Sequence, residues 1–239
     1  MTKFITFVSG KGGVGKTTAT LNVGHSLTQL GKKVTLVDAN LATPNLAIHL
    51  GFINPEGTVN SFVRKEKNLR EVTYVHESGL SLIPASTSYT EFQKTDPKRL
   101  VQIFEHLDNT SDFVLIDAPS GLGQEVSQVL KHSDEVILVV NPTFSSVLDA
   151  LKTIQLAEIH ENVVVGVLLN LTNGGKHELK ASEVERILNY PILANVKVDK
   201  KIRKSVHQNL PLTQLFPRSK SARQFKLVAQ HLCLEENLP

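Results

Sequence analysis

A single cysteine, Cys233, is all the thiol chemistry in a chain of 239 residues. One cysteine makes no internal disulfide and holds no metal cluster alone, so the expected setting is a reducing compartment. Long apolar runs are missing too. The longest, "VILVV" and "VVVGVLL", fall far short of the roughly 20 residues a membrane helix needs. The opening "MTKFITFVSG" shows no charged leader followed by an apolar stretch and a cleavage site. Net charge is only +3, which excludes a polyelectrolyte. Repeats, low-complexity tracts and linkers are absent. What remains is a soluble, cytoplasmic protein whose length and 41% hydrophobic content suffice for one sizeable core.

Short β-rich runs alternate with helical patterns. The runs are 3–8, 33–38, 80–84, 112–117, 135–140, 163–169 and 192–196, several of them apolar at consecutive positions, as strands covered on both faces must be. Between them, Ala19, Val23, Leu27 and Leu30 share one helical face, and Gly31 stands where that helix ends. Asp96-Pro97 forms an N-cap and first-turn pair ahead of Leu100, Ile103, Phe104 and Leu107, and Val147, Leu151 and Ile154 make another stripe. The expected fold is α/β: a doubly wound, mostly parallel sheet flanked by helices in a single domain over 1–239, with its ligand at the carboxyl ends of the strands.

"SGKGGVGKTT" supplies the ligand. Gly10-x4-Gly15-Lys16-Thr17 is an eight-residue phosphate-loop pattern between a strand and a helix. Gly10, Gly12, Gly13 and Gly15, with Val14, let the backbone turn its N–H groups around a phosphate, and the following helix adds its positive end. Lys16 is expected to bridge the β- and γ-phosphates of ATP, Thr17 to ligate Mg2+, and Thr18 to reach the α-phosphate. Two apolar strands end in aspartate, "TLVD" at Asp38 and "FVLID" at Asp117, and both are candidates to hold the metal's water shell. Gly121, just beyond, could offer its N–H to the γ-phosphate. One residue has no place in this scheme, the second lysine, Lys11.

With Lys11, "KGGVGKTT" is a deviant Walker A motif, and the chain resembles the MinD/ParA group of P-loop ATPases, within it the archaeal MinD-like proteins. "LVDANLATPNLAIHLG", "IDAPSGLG", "NPTFSSVLDALKTI" and "LLNLT" follow in the family's order, so the likeness covers nearly the whole chain. The resemblance implies an ATP-dependent homodimer in which Lys11 crosses to the partner's nucleotide. A second ammonium near the γ-phosphate stabilises developing charge as an arginine finger does. It also implies that Asp149 holds Lys11 when no dimer is present, that Asn170 reads the adenine edge, and that the loop around Asp199 closes over the base. Two departures stand out. The family's second switch aspartate, which positions the attacking water, is Asn40 here, and an acidic position after Asn141-Pro142 is Thr143. An amide orients water but accepts no proton. Slow hydrolysis is one expectation, and a binding-only switch is the other.

Residues 197–226 carry nine Lys/Arg against one acid, Asp199, which leaves −5 on the rest of the chain. The segment is either a solvated face or one that meets DNA, anionic lipid or an acidic partner. The C-terminal "FKLVAQHLCLEENLP" reads as a core stripe of Phe225, Val228 and Leu232 with an acidic end, so a basic amphipathic membrane anchor is not expected there. The open functions are a dimerisation switch regulating an unknown protein partner in division or motility, a ParA-like DNA-partition ATPase, a hydrolysis-deficient scaffold, and a metal or cluster carrier. The last is disfavoured because such relatives use cysteine pairs at the dimer face.

Overall fold

Apolar residues at consecutive strand positions point to opposite faces, and this chain covers both. The computed structural model describes residues 2–235. Its strands are β1 (Lys3–Val8), β2 (Val34–Asp38), β3 (Tyr74–Val75), β4 (Ser81–Ile83), β5 (Phe113–Asp117), β6 (Glu135–Val140), β7 (Val163–Thr172) and β8 (Ile192–Lys197). They form one sheet in the order β3-β4-β2-β5-β1-β6-β7-β8, parallel throughout except for the β3–β4 pair. Along β5, Phe113 and Leu115 enter the core on one face, and Val114 and Ile116 enter the core on the other. The first helix, Lys16–Gln29, and the last, Lys220–Glu235, share the first face. The helices Val101–Leu107, Gln124–Leu130 and Phe144–Ile159 cover the second.

All seven expected strands are present. The sheet adds β3, a two-residue antiparallel edge too short for any periodicity, and β7 runs three residues past its expected end. The first-helix stripe holds for Ala19, Val23 and Leu27, which are wholly buried, but not for Leu30. Leu30 is the C-cap, where the chain is already leaving the helix for Gly31 at φ 82°, and its side chain is 36% exposed. Asp96 caps as expected, its side chain accepting from the Lys98 N–H, though the turn it opens at Pro97–Leu100 is a 3-10 helix that leads into Val101–Leu107. Phe225, Val228 and Leu232 are fully buried. Residues 236–239, part of the expected acidic end, lie outside the described residues. Among the described residues no helix is long and apolar enough to cross a membrane.

Candidate nucleotide-binding site

Every site residue foreseen in the sequence sits at or beyond the carboxyl edge of the sheet, except Asp149, one helical turn into Phe144–Ile159. The loop after β1 leads from Ser9 to the first helix, with Gly13 at φ 74° and Gly15 at φ 94°. These left-handed conformations, which only glycine adopts freely, turn the loop back on itself. Lys16 opens the helix and is 6% exposed. Its ammonium is held by two hydroxyls, donating to Ser120 Oγ at 2.6 Å and to Ser9 Oγ at 3.0 Å. Ser9 in turn donates to the Lys11 carbonyl at 2.6 Å. Burial pushes the Lys16 pKa down, while the nearby Asp117 opposes that shift.

Asp38 and Asp117 end neighbouring strands and are directly paired across β2 and β5. Both are buried. Burial pushes both carboxyls up, and for Asp38 the charge of Asp117 adds to it; for Asp117 the Thr17 hydroxyl and Lys16 act the other way. Their environments differ. Asp38 is consumed by backbone: Oδ2 accepts from Asn45 N and Leu46 N, both at 3.0 Å, and Oδ1 from Asn40 N at 3.2 Å. It anchors the loop that follows β2. Asp117 accepts from Thr17 Oγ1 at 2.5 Å on one oxygen, and the other, Oδ1, is buried without a hydrogen-bond partner. A hydroxyl and an orphaned carboxylate oxygen, backed by a second carboxylate, form an oxygen donor set of the kind Mg2+ takes alongside phosphate. The residues present therefore fit the magnesium the sequence implies.

Lys11 is near Asp149, as the resemblance implies. Its Nζ lies 3.8 Å from Asp149 Oδ2, and a shorter bond of 2.6 Å goes to Ser145 Oγ. Ser145 was not foreseen, although its spacing was a signal: four residues before Asp149, it shares that helix face. Gly10 lies under the same helix, and a Cβ there would stand 2.6 Å from Asp149 Cβ. Thr143, the second departure, N-caps that helix by accepting from Ser146 N at 3.3 Å.

The remaining expected residues make the following contacts within the protein. The Gly121 N–H goes to the Ser9 carbonyl at 3.0 Å, so it reaches a γ-phosphate only if that bond opens. Asn40 turns onto its own loop: Nδ2 donates to the Thr43 carbonyl at 2.8 Å and Oδ1 accepts from Thr43 N at 3.3 Å. Asn170 is buried at 2% exposure and donates to the Val14 carbonyl of the phosphate loop. Asp199 caps the helix Lys200–His207 through Lys201 N at 2.9 Å and accepts from Ser221 Oγ at 3.0 Å. The Thr18 carbonyl takes Asn22 Nδ2 at 2.8 Å.

Residues 2–167 match a family described as an AAA domain. An uncharacterized ATP-binding protein of Methanocaldococcus jannaschii is 31% identical over 228 residues, 95% of this chain and 86% of that protein. The chain belongs to the MinD/ParA family of P-loop ATPases. The antiactivator FleN of Pseudomonas aeruginosa is 30% identical over 237 residues, covering 95% of this chain and 84% of FleN. Among solved structures, the septum site-determining protein MinD of Pyrococcus horikoshii, complexed with Mg-ADP, superposes with a TM-score of 0.95 at 28% identity, over 99% of this chain and 98% of that one. MinD in the MinC:MinD cell division complex of Aquifex aeolicus gives 0.87 at 26%, again over 99% and 98%. The likeness to both MinD structures thus runs over almost the whole of each chain, beyond the phosphate loop itself.

Proposed function

We propose that this chain is an ATP-dependent dimerisation switch of the MinD type: it binds Mg2+-ATP, pairs with a second copy, hydrolyses ATP slowly and regulates another protein. The observation that carries the reading is Lys11, held by Ser145 and Asp149 beside a cradle that already contains a phosphate lysine. In the dimer, Lys11 exchanges Asp149 for the partner's nucleotide. Dimerisation and catalysis then become one event. Bound Mg2+ supplies charge neutralisation on the phosphates. Lys16 leaves Ser9 and Ser120 for the β- and γ-phosphates, and Thr17 and Asp117 hold the metal side. The MinC partner in one solved relative and the antiactivator role of FleN support a protein as the regulated target. The test is light scattering with a non-hydrolysable ATP analogue and Mg2+ at micromolar protein. Wild type is expected to double in mass, and Lys11→Ala and Lys16→Ala to remain monomeric. A wild type that stays monomeric, or a Lys11→Ala variant that dimerises as well as wild type, rules this reading out.

A binding-only scaffold is the second reading, favoured by the closure of Asn40 on Thr43 in place of a carboxylate beside the attacking water. Phosphate release no faster than that of Lys16→Ala identifies it. The basic segment supports a further property of either. Its nine Lys/Arg face one acid, Asp199, whose carboxylate caps a helix through Lys201 N and accepts from Ser221, so the segment keeps a large net positive charge. Affinity for duplex DNA that needs ATP and falls steeply with salt would identify the partition-type reading.

A further inference from the structure

Asparagine is a poor residue for a helix interior, because its amide offers the backbone other hydrogen bonds. Asn22 stands inside the first helix, 2% exposed, and both ends of its amide are engaged. Nδ2 donates to the Thr18 carbonyl at 2.8 Å. Oδ1 accepts from Thr213 N at 3.1 Å and from Thr213 Oγ1 at 3.3 Å, a residue 191 positions further along the chain. His25 places Nδ1 2.7 Å from the same hydroxyl. One proton assignment satisfies every contact. His25 Nδ1–H donates to Thr213 Oγ1, the hydroxyl proton goes to Asn22 Oδ1, and His25 Nε2 accepts from Gln29 Nε2 at 3.5 Å. Burial, and then the nearby His76, lowers the His25 pKa to about 4, so the ring stays neutral at neutral pH.

These bonds complete a bracket. Asp199 caps Lys200–His207 and accepts from Ser221 on the last helix, while Thr213 is fastened to the first. The segment 199–213 is thereby tied at both ends to the two helices that share one face of the sheet. Leu212 adds apolar contact in that core, but such contact is non-directional. The hydrogen bonds to Asn22 fix where the segment stands relative to the helix that begins at Lys16.

We propose that Asn22 and Thr213 are positioning residues for the nucleoside half of the ligand, holding the segment 199–213 in register with the helix that carries the triphosphate. This rests on the reading of the site as a Mg2+-ATP cradle with the loop around Asp199 closing over the base. The two residues touch neither base nor phosphate. Without the tie, only part of the population holds the segment in place, and the apparent affinity for the nucleoside falls by that fraction. The phosphate loop is unaffected, because Thr18 keeps its main-chain helical bond from the residue 22 N–H whatever side chain stands there.

The experiment is calorimetric binding of Mg2+-ATP and Mg2+-tripolyphosphate to wild type, Asn22→Ala, Thr213→Val and Thr213→Ser, with a thermal melt confirming that each is folded. Asn22→Ala leaves the Thr213 N–H buried and unpaired and is expected to weaken ATP about fivefold, with tripolyphosphate unchanged. Thr213→Val loses only the hydroxyl and is expected to weaken ATP by a smaller factor, again with tripolyphosphate unchanged. Thr213→Ser keeps the hydroxyl and is expected to bind both ligands as wild type does. The Thr213 pair keeps the test open if Asn22→Ala fails to fold. Equal losses for the two ligands overturn the proposal, since they mark general damage to the cradle. Unchanged ATP affinity in Asn22→Ala and Thr213→Val also overturns it, as does a Thr213→Ser variant as weak as Thr213→Val, which would assign the effect to the methyl group. A wild type that binds ATP no more tightly than tripolyphosphate removes the base contact itself, and one that binds neither removes the cradle; only in those two cases does the underlying reading fall with the proposal.

Discussion

Two carboxylates face one another at the ends of β2 and β5, and Lys16 lies nearer to only one of them. Asp117 has that lysine and Thr17, whereas Asp38 has only backbone N–H groups and is wholly buried. Its pKa is raised from 3.8 by burial and by Asp117. A raised carboxyl pKa means the fold disfavours the charged form. The resulting cost is absent at pH values below the unfolded pKa. It grows as pH rises through the interval up to the folded pKa and is complete above it. Asp38→Asn removes that cost while an amide oxygen still accepts from Asn45 and Leu46, at the loss of the longer bond from Asn40 N–H, which the amide NH2 then faces. Without nucleotide at pH 8 the variant is therefore expected to be more stable by about 1–3 kcal/mol, a few degrees in melting temperature for a chain of this size, with the gain shrinking toward pH 4. With Mg2+-ATP the order reverses, because the second carboxylate behind the metal is gone. Melting curves with and without Mg2+-ATP at several pH values check both halves; a lower melting temperature for the nucleotide-free variant at pH 8 contradicts the argument. The site residues were legible where a residue type at a fixed spacing does one job, as with Lys16, Thr17 and Asp117. Ser9, Ser120 and Ser145 were not, since a hydroxyl that receives a lysine looks like any loop serine until the fold brings it there.

Elements in this fold are positioned by close approach as much as by apolar pattern. The first helix carries Gly24 in its interior, where glycine costs about 1 kcal/mol relative to alanine. The reason lies beneath it: a Cβ at Gly24 would meet Leu36 Cδ2 at 2.7 Å and Leu80 and Leu115 at 3.3 Å. The helix rests directly on β2, β5 and Leu80, the residue before β4, and its N-terminal end follows the phosphate loop. Gly24→Val adds a branched side chain with no room to take it. It is expected to destabilise by about 2 kcal/mol or more and to weaken ATP binding as well, because lifting the helix tilts the loop. Urea unfolding and calorimetry report the two effects, and a variant as stable as wild type would falsify the close-packing account. This scale was the most readable in sequence. Buried parallel strands announce themselves as short β-rich runs, several of them apolar at consecutive positions, and seven were read from such runs. Two residues of β3 carry no period, and the exposure of Leu30 is decided by where the helix stops rather than by its stripe.

For the molecule as a whole, the decisive question is whether hydrolysis belongs to one chain or to two. A dimer that completes its site with Lys11 from the partner makes turnover per chain depend on protein concentration. It rises as the dimer forms and levels off once most chains are paired. Lys11→Ala should flatten that curve at its low end, since no concentration supplies the missing ammonium. Asn40→Asp should behave differently, keeping the midpoint and raising the plateau. Asn40 lies on the loop anchored by Asp38 and is tied to Thr43, so the substitution changes chemistry at the water without touching Lys11, Ser145 or Asp149. General-base help is worth about 10²–10⁴-fold where a reaction depends on it. Phosphoryl transfer depends on it less, because positioning and charge stabilisation supply most of the effect, so a gain on the order of tenfold is expected. Steady-state phosphate release across the concentrations that span dimerisation measures all three proteins together. A wild-type rate per chain that is independent of concentration while light scattering records pairing would place the complete catalytic site within one chain. A plateau unmoved by Asn40→Asp would shift the limit on turnover from the missing carboxylate to another step, such as opening of the dimer.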